Sequence, residues 1–230
     1  MGLFGVDAVE PSNDTEARNS PFNASLDMAP AINPDVAAMA VNRAAGVTRA
    51  IVSPDAGNAI FAGQGAVIDT GSDLNPVTKA KAFQFVEFGE TGARLAGGSR
   101  PALIAAFKTA LGEASEAAKG IFRDDAMLKR ADALALVPVV NGTMKLFVHA
   151  ESAPDILMVL ALKKDYPALS VVLVGDRRPP HRHDRVPDEL LDHAPVAFDH
   201  GLRSVEVRIH QRTHVFGVAL LGERGEGHQV

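Results

Sequence analysis

The stretch KLFVHAESAPDILMVLALKKDYPALSVVLVG, residues 145–175, decides the fold class. Its first six residues form a short apolar run that is typical of a buried strand. Ser152 and Asp155 follow with the spacing of a capping box, and apolar residues then recur at the period of a helix. Residues 169–175, LSVVLVG, predict a second strand. A strand, a helix and a strand joined by short loops predict a βαβ unit, with two parallel strands and a right-handed crossover.

The chain before this unit predicts further alternation of helices and strands. Residues 34–46 predict a helix that has a proline at its start and a glycine at its end. Residues 47–54 predict a strand, and residues 65–69 predict another after a glycine-rich loop. This alternation is typical of an α/β protein.

Three helices are predicted in the middle of the chain. The first covers residues 76–92, with Phe83 and Val86 on one side. The second lies within residues 97–122 and is capped by Ser99. Its apolar stripe consists of Leu103, Phe107, Ala110, Leu111 and Ala114. The third lies within residues 124–142, begins at the acidic pair Asp124 and Asp125, and is broken near Pro138.

Composition excludes several classes of protein. Hydrophobic residues make up 47% of the 230 residues, which is enough for a folded core. The net charge of -5 and the lack of a long basic run argue against nucleic acid as a partner. We expect no membrane span, because no apolar run is long enough, and no signal peptide. The compartment stays open. The chain has no cysteine, which excludes disulfides and thiolate metal ligands.

The composition changes abruptly after residue 175. Seven of the eight histidines lie beyond this point, whereas the last lysine is Lys164 and the last methionine is Met158. We therefore divide the chain into residues 1–175 and a His/Arg-rich segment, residues 176–230. The second part is either a separate surface module or the product of a frame disruption or unrelated replacement. Comparison of the encoding DNA in all three frames would distinguish these origins.

Four stretches together resemble the metal-dependent amidohydrolase superfamily, in its imidazolonepropionase-like and isoaspartyl-dipeptidase-like branch. They are GLFGVDAVEPSNDTEARNSP, INPDVAAMAVNRAAGVTRAIVSPDAGNAIFAGQGAVIDT, SRPALIAAFKTALGEA and MKLFVHAESAPDILMVLALKKDYPALSVVLVG. The resemblance covers residues 1–175. It implies a partial TIM-like (β/α) barrel of parallel strands with crossover helices, in which the chemistry lies at the carboxyl ends of the strands.

The resemblance also implies a metal site, and His149 is its expected histidine ligand. Several other parts of the family pattern are missing. The family's H-x-H pair precedes the segment that opens this chain, Glu151 stands where the branch often has a second histidine, and Gly175 stands where the next strand usually ends in one. No counterpart of the catalytic aspartate is visible. We therefore leave the catalytic residues unassigned and expect this chain to be inactive by itself, truncated at its N-terminus.

Two pairs of residues are candidate metal ligands. His149 and Glu151 supply two ligands if the chain turns after Ala150, and a catalytic zinc usually needs three. His181 and His183 form a separate H-x-H after two prolines, so a solvated loop that binds metal adventitiously is the alternative for them.

Three functions remain open from the sequence. The first is hydrolysis of a C–N bond in an amide, a cyclic amide or a small peptide by metal-activated water, with zinc as the expected metal. The second is a non-catalytic α/β protein that binds a ligand or a partner. The third is a metal-binding module built on the C-terminal histidines. Because about five of eight barrel strands would leave two open sheet edges, we also expect self-association.

Overall fold

The computed structural model of the chain describes residues 14–72 and 74–175, together with two dipeptide strands further on. A sheet of five strands curls into half a barrel, and five helices accompany it. This confirms the predicted α/β class and the partial TIM-like barrel. The strands are β1 (Arg49–Val52), β2 (Phe61–Asp69), β3 (Val77–Glu87), β4 (Lys145–His149) and β5 (Ser170–Gly175). The helices are α1 (Ala37–Ala44), α2 (Gly89–Leu95), α3 (Arg100–Ala117), α4 (Arg130–Val140) and α5 (Ala153–Asp165).

The sheet changes direction in its middle. Strands β3, β4 and β5 are parallel neighbours, and the pairing of β4 with β5 confirms the βαβ unit predicted from the sequence. Strands β1, β2 and β3 instead run antiparallel to one another in sequence order, with register shifts between β2 and β3. The short strands β6 (His210–Gln211) and β7 (Ala219–Leu220) pair with β5 and β1 respectively, at opposite edges of the sheet.

The prediction of a helix over residues 76–92 is wrong. Residues Val77–Glu87 form the longest strand, and a short helix follows. The apolar pair Phe83 and Val86 has helical spacing, yet the two side chains lie on opposite faces of the sheet, in different core clusters. Pairing with β2 on one side and β4 on the other therefore decides the conformation of this segment.

Most other predicted elements are confirmed, with two corrections at α4. Ser99 caps α3 by accepting a hydrogen bond from the Ala102 amide, and the predicted apolar stripe of this helix is buried. Helix α4 begins at Arg130 rather than at the acidic pair Asp124 and Asp125, and it continues through Pro138 to Val140. Among the described residues, no helix is both long enough and apolar enough to cross a membrane.

Two apolar layers cover the two faces of the parallel strands. Leu146 and Val148 of β4 belong to the larger core, which includes buried residues of α3, α4 and α5. Phe83 and Phe85 of β3 lie on the opposite face, which we call the inner face. The Phe83 ring stacks on that of Phe147, with the ring centroids 4.1 Å apart. Since side chains alternate along a strand, Glu87 and His149 also belong to the inner face.

Helix α2 closes tightly against the end of β3 at a glycine. A β-carbon on Gly92 would lie 2.4 Å from the carbonyl oxygen of Glu87 and 3.2 Å from a methyl group of Leu103. Only a residue without a side chain fits there, because the carbonyl belongs to the backbone and cannot rotate away. Gly92 thus allows the chain to turn directly after the strand.

Substitution of this glycine tests the close packing of α2. Gly92→Ala should lower the free energy of unfolding by about 1–3 kcal/mol, as overpacking of a core does. Gly112→Ala is the matched control, because a β-carbon there meets nothing within 4 Å and alanine favours a helix by up to about 1 kcal/mol. Urea denaturation of both variants gives the comparison. Equal effects of the two substitutions would show that α2 does not pack against the end of β3.

Candidate functional site

Two polar side chains meet at the carboxyl ends of β3 and β4. Glu87 and His149 are register partners in this parallel pair, so both side chains project from the same face. The distance between His149 Nδ1 and Glu87 Oε2 is 2.6 Å. Both residues are buried, with relative exposures of 7% for Glu87 and 8% for His149. A carboxylate and an imidazole are therefore in direct contact on the inner face of the sheet.

The carboxylate determines which imidazole nitrogen carries the proton. An ionised carboxylate only accepts hydrogen bonds, so Nδ1 donates to Glu87. In the neutral ring, Nε2 is then the basic nitrogen, which can accept a proton or bind a metal ion. Glu151 Oε1 lies 3.8 Å from Nε2, beyond hydrogen-bond distance. Glu151 is about half exposed.

Backbone hydrogen bonds hold the two strand ends together. The Phe88 amide donates to the carbonyl oxygen of His149 at 2.9 Å, directly after Glu87 in the chain. The Ala150 amide donates to the carbonyl oxygen of Val174 at 3.0 Å, which ties the end of β4 to β5. The Phe85 ring stacks against the imidazole, with the ring centroids 6.4 Å apart. The pair therefore rests on rigid elements rather than on a loop.

A second charged group lies behind the strand ends. Asp155, in the first turn of α5, is 2% exposed and accepts hydrogen bonds from Arg100 Nε at 2.7 Å and Nη2 at 3.2 Å. The Ser152 hydroxyl donates to the same carboxylate at 2.6 Å. The hydrogen bond from Arg100 holds the pKa of Asp155 below its ordinary value, against the opposing effect of burial, and Ser152 assists. The pKa of Arg100 is raised by the same contact.

The structure brings together part of the predicted site. His149 ends β4, as the sequence predicts, and Glu151, two residues later, approaches its Nε2 to 3.8 Å. His181 and His183 lie outside the described residues, so their role stays a prediction. Sequence reasoning missed Glu87, because a helix was predicted over that segment. A signal was present in FQFVE, residues 83–87, which opens with two aromatic residues on either side of a polar one, as strands favour, and ends at the glutamate.

The described residues match a metal site in kind and fall short of it in number. His149 Nε2 and the Glu151 carboxylate are ligands of the kind that zinc binds. Glu87 contacts the other ring nitrogen of His149, as carboxylates that orient a ligating histidine usually do. Within residues 14–72 and 74–175, no group of three His, Cys, Asp or Glu side chains could hold a metal ion. These residues therefore supply at most part of the ligand set for a catalytic zinc.

A cavity of about 290 Å³ lies elsewhere. Its lining includes Thr15, Leu26, Asp27 and Met28, from the segment that precedes the first helix. Neither Glu87 nor His149 contributes to it. We place the candidate site at the strand ends, because the buried polar pair is there and chemistry in barrels of this kind sits at the carboxyl ends of strands.

Comparison with known proteins supports the fold. The chain is similar to the crystal structure of an amidohydrolase from Thermotoga maritima MSB8, with a TM-score of 0.62 and 18% sequence identity. The similarity covers 76% of this chain and 48% of that protein, so the chain spans about half the length of its structural neighbour. No protein-family profile and no curated protein matches the chain. The specific branch inferred from sequence motifs stays a prediction.

The Asp155 carboxylate should make stability depend on pH in the acid range. A folded-state pKa below the unfolded value of about 3.9 adds stability that is complete above that pH and is lost as the pH falls through the folded pKa. Because the Arg100 side chain is about half exposed, we expect a contribution on the order of 1 kcal/mol. Asp155→Asn should be less stable than the parent at pH 6, and urea denaturation should show this gap closing toward pH 3. A gap that is constant over this range would contradict the assignment.

Proposed function

We propose that the chain forms part of the catalytic face of an amidohydrolase-type hydrolase that acts on C–N bonds. The substrates would be amides, cyclic amides or small peptides. The observation that carries the proposal is the buried Glu87–His149 pair, which sits on the inner face at the carboxyl ends of adjacent parallel strands. The fold similarity to an amidohydrolase supports the same assignment.

The two side chains have separate roles in this proposal. Glu87 orients the imidazole and fixes its proton on Nδ1, which leaves His149 Nε2 as the basic atom. An imidazole held in this way binds a metal ion or moves a proton without first reorganising. Burial of the pair restricts the water that reaches it, so the hydrogen bond is stronger than an exposed one.

A divalent cation, with zinc as the expected one, would be held by His149 Nε2 and Glu151 on this part of the chain. Bound there, it would supply a polarised carbonyl and a bound water of lowered pKa. Glu87 would act behind His149, since metal-ligating histidines usually donate their other ring nitrogen to a carboxylate. Further ligands would come from outside the described residues.

The second candidate is a non-catalytic α/β protein that binds a ligand or a partner. The number of donors favours it, because the described residues bring at most two metal ligands together at the strand ends. In that case His149 and Glu87 would form a structural hydrogen bond. His181 and His183 could then bind metal ions weakly without any relation to the strand ends.

Zinc binding by substituted proteins distinguishes these functions. We expect the metal-depleted parent to bind zinc stoichiometrically in calorimetric titration. His149→Ala should weaken zinc binding more than tenfold through loss of a ligand, and Glu87→Gln should weaken it by about ten- to a hundredfold, as loss of an orienting partner does.

The matched control is Asp165→Asn, which removes an exposed carboxylate at the far end of α5, where it pairs with Lys108 at 2.7 Å. It should bind zinc like the parent. A parent without stoichiometric zinc would leave the non-catalytic function. Binding that survives in His149→Ala would assign the metal to other residues, such as His181 and His183.

A further inference from the structure

One carboxylate links the two chain segments that follow Glu87 and His149. Asp155 lies six residues after His149, in the first turn of α5. A β-carbon on Gly89, two residues after Glu87, would lie 3.0 Å from Asp155 Oδ2, so the backbone of that segment passes close to the carboxylate. Gly89 has a φ of 71°, in the left-handed region that favours glycine. The carboxylate therefore packs directly on the turn that follows β3.

Arg100 fixes this carboxylate from a third direction. It is the first residue of α3, and it binds both Asp155 oxygens through Nε and Nη2. Such a two-point contact between a guanidinium and a carboxylate restricts orientation as well as distance. Ser152 completes the set from the N-cap of α5. The start of α3, the start of α5 and the turn at Gly89 thus converge on one side chain.

We propose that Asp155 is a positioning residue, which holds the ends of β3 and β4 in the register that places Glu87 against His149. The contact that Asp155 would keep in place is the hydrogen bond from the Phe88 amide to the His149 carbonyl oxygen, at 2.9 Å. Phe88 lies between Glu87 and Gly89 in the chain. Without the carboxylate, the turn at Gly89 loses its packing surface, and the start of α3 loses its tie to the start of α5. The pair would then keep its chemical groups and lose its fixed geometry.

This role differs from a general contribution to stability in where its effect appears. A purely structural residue raises the exchange of all core amides by the same opening of the whole fold. A positioning residue raises exchange at the strand ends first. The Phe88 amide reports on the strand ends, and the Gln64 amide, which donates to the Leu26 carbonyl oxygen at 2.6 Å, reports on the middle of strand β2.

The test compares Asp155→Asn with Asp165→Asn, the same chemical change on the same helix at an exposed pair. Hydrogen exchange should be roughly tenfold faster at Phe88 in Asp155→Asn, with little change at Gln64 beyond any loss of global stability. Asp165→Asn should change neither amide. Equal acceleration at Phe88 and Gln64, or no acceleration at Phe88, would overturn the proposal.

Arg100→Lys provides a second variant if Asp155→Asn does not fold. The arginine side chain is about half exposed, so the change is tolerable, and lysine keeps the charge while losing the two-point contact. Exchange at Phe88 should be accelerated less than in Asp155→Asn and more than in the parent. Hydrogen exchange at Phe88 like that of the parent would show that the two-point contact of Arg100 with Asp155 does not position the strand ends.

Zinc binding supplies a readout that rests on the proposed function. Asp155→Asn should weaken zinc binding about tenfold, as loss of a group that orients metal ligands does. Asp165→Asn should leave zinc binding unchanged. Unchanged zinc affinity together with accelerated exchange at Phe88 would overturn the positioning of the pair. A parent that binds no zinc would refute the proposed function alone, and exchange at Phe88 would then decide the role of Asp155.

Discussion

The parallel register between β3 and β4 is the constraint on which the candidate site depends. It makes Glu87 and His149 direct neighbours although 62 positions separate them in the chain. The helices α2, α3 and α4 occupy that interval, and buried side chains of α3 and α4 cover the face of both strands opposite the inner face. Packing on one face thus fixes the geometry of polar groups on the other.

The outer core and the site are coupled through short connections. Only three residues separate the end of β4 from the start of α5, and only Phe88 lies between β3 and α2. Short connections transmit the placement of a helix directly to the strand end that precedes it. This explains why the groups that line the helix starts, such as Arg100 and Asp155, matter to a pair that they do not touch.

Sequence periodicity predicted the elements whose conformation is set locally. The unit from β4 to β5 has strong strand composition at both ends and a helix with its own cap, so neighbours were not needed to recognise it. Strand β3 could not be recognised in this way, because Phe83 and Val86 have helical spacing and the residues before them include the helix-favouring Lys79, Ala80, Lys81 and Ala82. Its strand conformation comes from pairing on both sides, which involves residues far away in sequence.

The same distinction applies to the site. His149 was identified because it ends a segment that resembles a known motif, whereas Glu87 ends a strand that was predicted to be a helix. The contact between them follows from the strand register, which no local pattern contains. The continuation of α4 through Pro138 also depends on context, since the helix packs with α3 around buried Leu136 and Val139.

The buried acid–base pair has a consequence for how the fold is maintained. Moving a carboxylate and an imidazole out of water costs about as much as their mutual contact returns, and apolar side chains of similar volume often serve stability as well or better. The part of the inner face next to the pair consists of such side chains, among them Phe83, Phe85 and Phe147. A sheet that needed only to be stable would continue this apolar surface to its edge. Glu87 and His149 therefore add little to the free energy of unfolding, and the apolar packing of the core supplies the stability of the fold.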